Sequence, residues 1–115
     1  LASVDQAQDM QNSSEDLPRG ESEVKKFDIA LSDWNWSIPR VTEAPVSMGC
    51  LARQFTRVGN TEQILVFTEI VRLWVRDDVG TIDARGKVKI DVGAFNPLAR
   101  VGKGAYARLS EVFWV

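Results

Sequence analysis

Histidine is absent from this 115-residue chain, and cysteine occurs once, at Cys50. Without histidine the chain cannot form a Ser-His-Asp triad, the common zinc sites or the usual general base near neutral pH. A single cysteine excludes an internal disulfide and favours an intracellular setting. The apolar neighbours of Cys50 predict a buried, unreactive thiol. Chemistry must therefore come from a cofactor or from carboxylates, and no spacing of acidic residues predicts a metal site.

The chain also lacks an excess of one charge and lacks long hydrophobic runs. It has 14 basic and 16 acidic residues, for a net charge of -2. This balance gives no basic patch for nucleic acid or for a membrane surface, and no apolar run approaches the about 20 residues that span a bilayer. No secretory signal is visible. We expect a cytoplasmic protein that binds neither nucleic acid nor membrane.

The length fits one domain, and a 44% hydrophobic content is ordinary for a folded protein. The chain begins at Leu1, inside a helical pattern, with no capping residue ahead of it. We therefore expect residues 1–115 to form a single domain that is incomplete at its N-terminus.

Short helices are predicted in three places. In residues 1–12 apolar side chains recur every three positions, which predicts an amphipathic helix. Residues 24–30 predict one or two helical turns. Residues 91–101 predict a short helix with Pro97 early in it.

Residues 46–76 predict a β-hairpin. Apolar side chains alternate from Val46, and a phase shift beyond Leu51 indicates a bulge. Residues 58–61 (VGNT) are typical of a turn, and 63–76 predict the longest strand. With further strands at 87–92 and 106–115, about four strands are expected. Their unpaired edges would need more chain or a second subunit to cover them.

Three residues in these segments leave alternatives open. Glu69 interrupts an apolar strand face and needs a partner such as Arg53, Arg57 or Arg72. It would form a structural ion pair or a dimer contact, or act as an acid or base. Trp34 and Trp36 would share one face of an extended segment, where they either cover the end of a barrel or contact a ligand or a partner.

Four segments, in chain order, resemble the flavin reductase-like, FMN-binding split-barrel family. Residues 10–14 (MQNSS) resemble the family's MNxTS stretch, and 39–50 (PRVTEAPVSMGC) resemble PRVxEAPVxxxC. Residues 66–71 (VFTEIV) resemble the VIGEVV strand, and 97–106 (PLARVGKGAY) resemble PLxRxGGxxY. Each motif is short, but their order and spacing cover nearly the whole chain.

The chain departs from the family pattern at three positions. Thr68 stands where glycine is usual, Arg72 stands where histidine is common, and Lys103 splits the usual pair of glycines. The family's N-terminal half, which carries much of the flavin contact, has no counterpart in these residues.

The resemblance implies a mainly β fold, the second half of an FMN-binding split β-barrel, with two or three short helices. It implies an FMN flavoprotein that transfers hydride from NADH or NADPH to flavin, as a homodimer with flavin near the subunit interface. The alternative is a non-catalytic assembly module that completes a barrel with another chain or a second copy.

The resemblance also implies where the cofactor would bind, while no side chain is assigned a catalytic role. The implied residues are Asn12, Ser13, Ser14, Arg100, Gly102, Gly104 and Tyr106. A guanidinium suits phosphate, glycines allow close approach of backbone, and a tyrosine can pack on the cofactor. The competing interpretation is a helix cap with a turn, a solvated arginine, a glycine turn and an ordinary strand aromatic.

Overall fold

The computed structural model describes residues 1–115 and consists mainly of antiparallel β-hairpins. After a 3₁₀ turn at Val4–Gln6, the helices are α1 (Ala7–Asn12), α2 (Glu23–Lys26) and α3 (Val92–Phe95). The strands are β1 (Leu31–Ser32), β2 (Arg40–Val41), β3 (Val46–Arg57), β4 (Ile64–Val75), β5 (Gly80–Ile82), β6 (Val88–Ile90), β7 (Leu98–Gly102) and β8 (Ala105–Arg108). They pair consecutively as four two-stranded sheets, β1–β2, β3–β4, β5–β6 and β7–β8. No helix is long and apolar enough to cross a membrane.

The β3–β4 hairpin is the largest element, and the sequence predicted it correctly. Both strands have 12 residues. The pairing shifts register twice, which leaves Val71 as an extra residue on β4 and Arg53 as an extra residue on β3. The expected bulge is thereby confirmed. Glu69 finds its partner at the second shift, where Arg53 Nε donates to Glu69 Oε2 over 2.8 Å.

A small apolar core lies at the base of this hairpin. Val46 at the start of β3, Val79 in the β4–β5 turn and Phe95 in α3 are buried together, with Val75 and Ile90 packed against them. Two backbone hydrogen bonds, both of 2.9 Å, hold the core segments together. The amide of Arg76 donates to the carbonyl of Pro45, and the amide of Asp91 donates to the carbonyl of Val79. The core therefore ties the β3–β4 hairpin to the β5–β6 hairpin and α3.

The N-terminal segment pairs with the residues between α3 and β7. Val4 N donates to Asn96 O over 2.9 Å, and Leu98 N donates to Ala2 O over 3.0 Å. The helix expected over 91–101 is wrong in extent, because it ends at Phe95. Asn96 has a left-handed φ of +47°, and Pro97 cannot continue a helix.

Several strand expectations also need correction. The structure has eight strands instead of about four. The four that were not expected, β1, β2, β5 and β7, are only two to five residues long, which is too short for a clear alternation of apolar residues. The last strand ends at Arg108 and does not reach Val115. Trp34 and Trp36 are not on an extended segment, since Asn35 between them has a φ of +57°.

The outer part of the β3–β4 hairpin is exposed on both faces. Every residue from 50 to 71 is exposed, including Phe55 at 66% and Phe67 at 51%. Cys50 is therefore not the buried thiol that its apolar neighbours predicted. It lies just beyond the first register shift, where no other element covers the hairpin.

Candidate functional site

The last turn of α1 lies against the β7–β8 hairpin. Tyr106 Oη donates a hydrogen bond to Gln11 Oε1 over 3.2 Å, between residues 95 positions apart. A Cβ atom on Gly104 would lie 3.5 Å from the same oxygen. The strand-like pairing of Ala2–Val4 with Asn96–Leu98 sets up this contact, because it places the start of α1 beside the start of β7. We call this region the α1–hairpin junction.

The hairpin side of the junction presents an arginine beside a tyrosine. Arg100 and Tyr106 are direct partners across β7 and β8, so their side chains project from the same face. Arg100 is exposed and Tyr106 is half-buried. Neither Arg100 nor Lys103 belongs to any ion pair of the chain. This face therefore offers an unpaired guanidinium next to an aromatic ring.

The turn that joins these strands needs glycine. Lys103 and Gly104 form a two-residue loop with φ values of +31° and +78°, the signs of a type I′ turn. Gly102 has a φ of +145° and follows Val101, the extra residue at the register shift in β7. A side chain at either glycine would be strained. Lys103 adopts a backbone conformation that glycine or asparagine usually adopts.

The α1 side of the junction forms a cap and a turn. Ser13 Oγ donates to Met10 O over 3.1 Å, and Ser14 Oγ donates to Gln11 O over 2.7 Å. Their amides and that of the next residue donate to backbone carbonyls as well. Asn12 Oδ1 accepts from the Gln8 amide over 2.8 Å. The serine donors are thus already used, at the C-terminal end of a helix, whose dipole does not favour an anion.

The seven sequence-derived residues fall into two groups, which are connected through the contacts of Gln11 with Tyr106 and Gly104. Asn12, Ser13 and Ser14 end α1, while Arg100, Gly102, Gly104 and Tyr106 belong to the hairpin. Gln11, which links the two groups, escaped the sequence analysis. No local signal marks it, because its partner is distant in sequence.

One exposed pair of side chains, away from these residues, has shifted pKa values. Arg76 Nε donates to Asp78 Oδ1 over 2.5 Å in the β4–β5 turn. This bond lowers the pKa of Asp78 and raises the pKa of Arg76. No group of three or more His, Cys, Asp or Glu side chains is placed to hold a metal ion.

Comparison of the sequence with known proteins finds a relative but no family model. No family model matches the chain. An uncharacterized protein of Deinococcus radiodurans is 32% identical over 115 residues, which cover 98% of this chain and 49% of that protein. The chain thus spans about half the length of this relative.

Solved structures match the chain over its whole length or nearly so. Nitrilotriacetate monooxygenase component B of Bacillus cereus matches 100% of this chain with a TM-score of 0.82 and 23% identity, over 57% of its own chain. The 2-nitrobenzoate 2-nitroreductase NbaA of Pseudomonas fluorescens matches 100% with a TM-score of 0.78 and 23% identity, over 55% of its chain. A candidate flavin reductase with a split barrel domain from Shewanella frigidimarina matches 99% with a TM-score of 0.83 and 17% identity, over 56% of its chain.

These matches show that the chain has the split-barrel fold of the flavin reductase-like proteins and accounts for about half of such a chain. The mainly β fold class expected from the four motifs is confirmed.

Proposed function

We propose that this chain forms part of an FMN-binding oxidoreductase in which hydride passes from NADH or NADPH to the flavin. The observation that carries the proposal is the fold that the entire chain shares with flavin reductase-like structures. The α1–hairpin junction adds a chemical argument, because it gathers a free guanidinium, an aromatic ring and a glycine turn. The cytoplasmic location remains a prediction.

The hairpin side of the junction fits a flavin phosphate. The Arg100 guanidinium has no partner within the chain, and such a group forms forked, charge-assisted bonds with phosphate oxygens. Tyr106 projects from the same face and can pack on a planar ring. Gly102 and Gly104 have no side chains, so a ligand can approach the backbone on either side of Lys103.

The α1 side of the junction is less well suited to binding the flavin phosphate. Ser13 and Ser14 could donate to phosphate only by giving up their bonds to backbone carbonyls. The side-chain nitrogen of Asn12, Nδ2, donates no hydrogen bond within the chain, whereas Asn12 Oδ1 already accepts one. We therefore propose Arg100 and Tyr106 as the main contacts and Asn12, Ser13 and Ser14 as the weaker ones. When bound, FMN would supply the hydride chemistry that no side chain here provides.

The exposed β3–β4 hairpin supports a proposal about partners. Apolar side chains on both faces of its outer part have no cover in the chain, and a two-stranded hairpin is at best marginally stable in water. We propose that a second copy or a complementing polypeptide covers it.

A non-catalytic assembly module is the second candidate. It is favoured by the same exposed hairpin and by the chain's match to only about half of its relatives. The two candidates differ in one simple property. A yellow preparation that releases FMN on denaturation supports the flavoprotein, and a colourless protein that does not bind added FMN supports the module.

The sharpest test of the flavoprotein is an FMN titration of Arg100→Ala. Loss of a charge-assisted bond should weaken FMN binding by about 1.5–3 kcal/mol, measured by quenching of flavin fluorescence. The matched control is Arg85→Ala, which removes an exposed arginine from the turn between β5 and β6. Equal affinity of wild type and Arg100→Ala would remove Arg100 from the site.

Hydride transfer is tested separately, by steady-state oxidation of NADH and NADPH with and without added free flavin. Oxidation that depends on flavin supports the proposed reaction. FMN binding without any oxidation of either nucleotide would contradict the reaction while leaving the flavin site in place.

A further inference from the structure

A second cavity, which shares no residue with the α1–hairpin junction, lies between β3 and the segment that precedes it. Its volume is about 410 Å³, within the range of small-molecule sites. Trp34, Trp36, Ile38 and Met48 supply most of its apolar lining. Arg40 is the only charged side chain in the lining. The cavity thus combines aromatic walls with the Arg40 guanidinium, and the Leu1 ammonium, which donates to Val46 O over 2.7 Å, also borders it.

The aromatic walls are fixed by close packing on the hairpin. A Cβ atom on Gly49 would lie 3.3 Å from Trp34 Cη2 and 3.5 Å from Trp36 Cε2, so the absence of a side chain lets both indoles settle there. The ring centroids are 6.3 Å apart with a tilt of 44°. Trp34 Nε1 donates to Ile38 O over 2.7 Å, and Arg72 Nη1 donates to Trp34 O over 2.9 Å. The walls therefore exist before any ligand arrives.

Arg40 is held in position but is not neutralised. Its guanidinium carbon lies 3.4 Å from the centroid of the Trp74 ring, and its Nη1 donates to the carbonyls of Val41 and Thr42 over 3.2 and 2.8 Å. No carboxylate pairs with it. Its Nε is buried and has no hydrogen-bond partner. A buried N–H of a charged group without an acceptor is costly, and an anion in the cavity beside the guanidinium would offset that cost electrostatically.

We propose that this cavity binds a small planar aromatic carboxylate. The ring would lie against Trp34 and Trp36, and the carboxylate would accept from Arg40. The flat indole walls match an aromatic ring, and the Arg40 guanidinium matches a carboxylate on that ring. The volume suits one or two fused rings and not an extended dinucleotide.

The test uses the indole N–H signals in the NMR spectrum of the purified protein. The chain has four tryptophans, of which Trp34, Trp36 and Trp74 border the cavity or Arg40, and Trp114 lies 89% exposed near the C-terminus. Titration with 2-naphthoate should shift the first three signals and leave the Trp114 signal in place. The neutral 2-naphthamide, which has the same rings, should bind at least about tenfold more weakly.

Variants of Arg40 and of a control arginine then test whether Arg40 binds the carboxylate. Arg40→Gln should weaken 2-naphthoate binding at least about tenfold and leave 2-naphthamide binding unchanged, while the control Arg85→Gln should change neither. The proposal is overturned if 2-naphthoate and 2-naphthamide bind wild type equally, if only Trp114 responds, or if no signal moves at millimolar ligand. Even if Arg40→Gln does not fold, the comparison of 2-naphthoate with 2-naphthamide on wild type tests whether the cavity prefers a carboxylate.

Discussion

The two ends of the β3–β4 hairpin have the same backbone pairing but very different surroundings. At the base, Val46 is 5% exposed and packs with Val79 and Phe95. At the tip, Phe55 is 66% exposed and contributes nothing to a core. Hydrogen bonds in the ladder give the hairpin its shape along its whole length, but apolar burial fixes only the base, because burial supplies most of the favourable free energy of folding. The tip is therefore the surface for which we propose cover by another polypeptide.

The largest expected effect comes from removing a phenylalanine at each end. Phe95→Ala should lower the free energy of unfolding by about 3–5 kcal/mol, because it empties part of the core. Phe55→Ala, the matched variant at the tip, should change it by less than about 0.5 kcal/mol when the protein is dilute enough to be monomeric. Urea unfolding followed by circular dichroism measures both. Equal losses would show that the tip is buried within the monomer, as the base is.

A charge placed at the tip should act on assembly while leaving the fold intact. Phe67→Asp puts a carboxylate on an apolar face that is 51% exposed in the single chain. If a second copy covers this face, the dissociation constant measured by sedimentation should rise at least tenfold, about 1.4 kcal/mol.

The control for that experiment is Gln54→Glu. Gln54 lies directly opposite Phe67 in the hairpin, so this variant adds the same charge without removing an apolar side chain. An assembly unaffected by Phe67→Asp would mean that the tip is not the interface.

The smallest effect is expected at the base, in the exposed Arg76–Asp78 pair. The pKa of Asp78 is lowered in the folded state by its bond to Arg76, so the pair stabilises the protein above the ordinary carboxyl pKa. That stabilisation is lost as the pH falls through the lowered pKa. Asp78→Asn should therefore melt slightly below wild type at pH 7 and at the same temperature in strong acid. Asp77→Asn, next to it but without an ion pair, is the control, and a gap that persists in acid would refute the assignment.

The sequence predicted those features whose signals are local. Alternation from Val46, the turn at 58–61 and the phase shift beyond Leu51 were enough for the β3–β4 hairpin and its bulge at Arg53, but the bulge at Val71 gave no such signal. The β7–β8 hairpin was missed, because Pro97 and two glycines within eight residues are also typical of the end of a helix. The left-handed φ of Lys103, which closes that hairpin as a tight turn, is not favoured by lysine and gave no local signal.

The long-range contacts of both sites could not be predicted from one sequence. The bond between Gln11 and Tyr106 spans 95 residues, and the stacking of Arg40 on Trp74 depends on how β2 folds back over β4. Cys50 seemed buried because its neighbours are apolar, but burial depends on what covers a strand. At that point of the hairpin nothing in the chain does.

The most direct test of the account is a structure of the purified protein with saturating FMN. We predict that the flavin phosphate lies within hydrogen-bond distance of Arg100 and that the cofactor contacts the β7–β8 hairpin beside Tyr106. FMN bound in every subunit away from both that hairpin and the end of α1 would contradict the account.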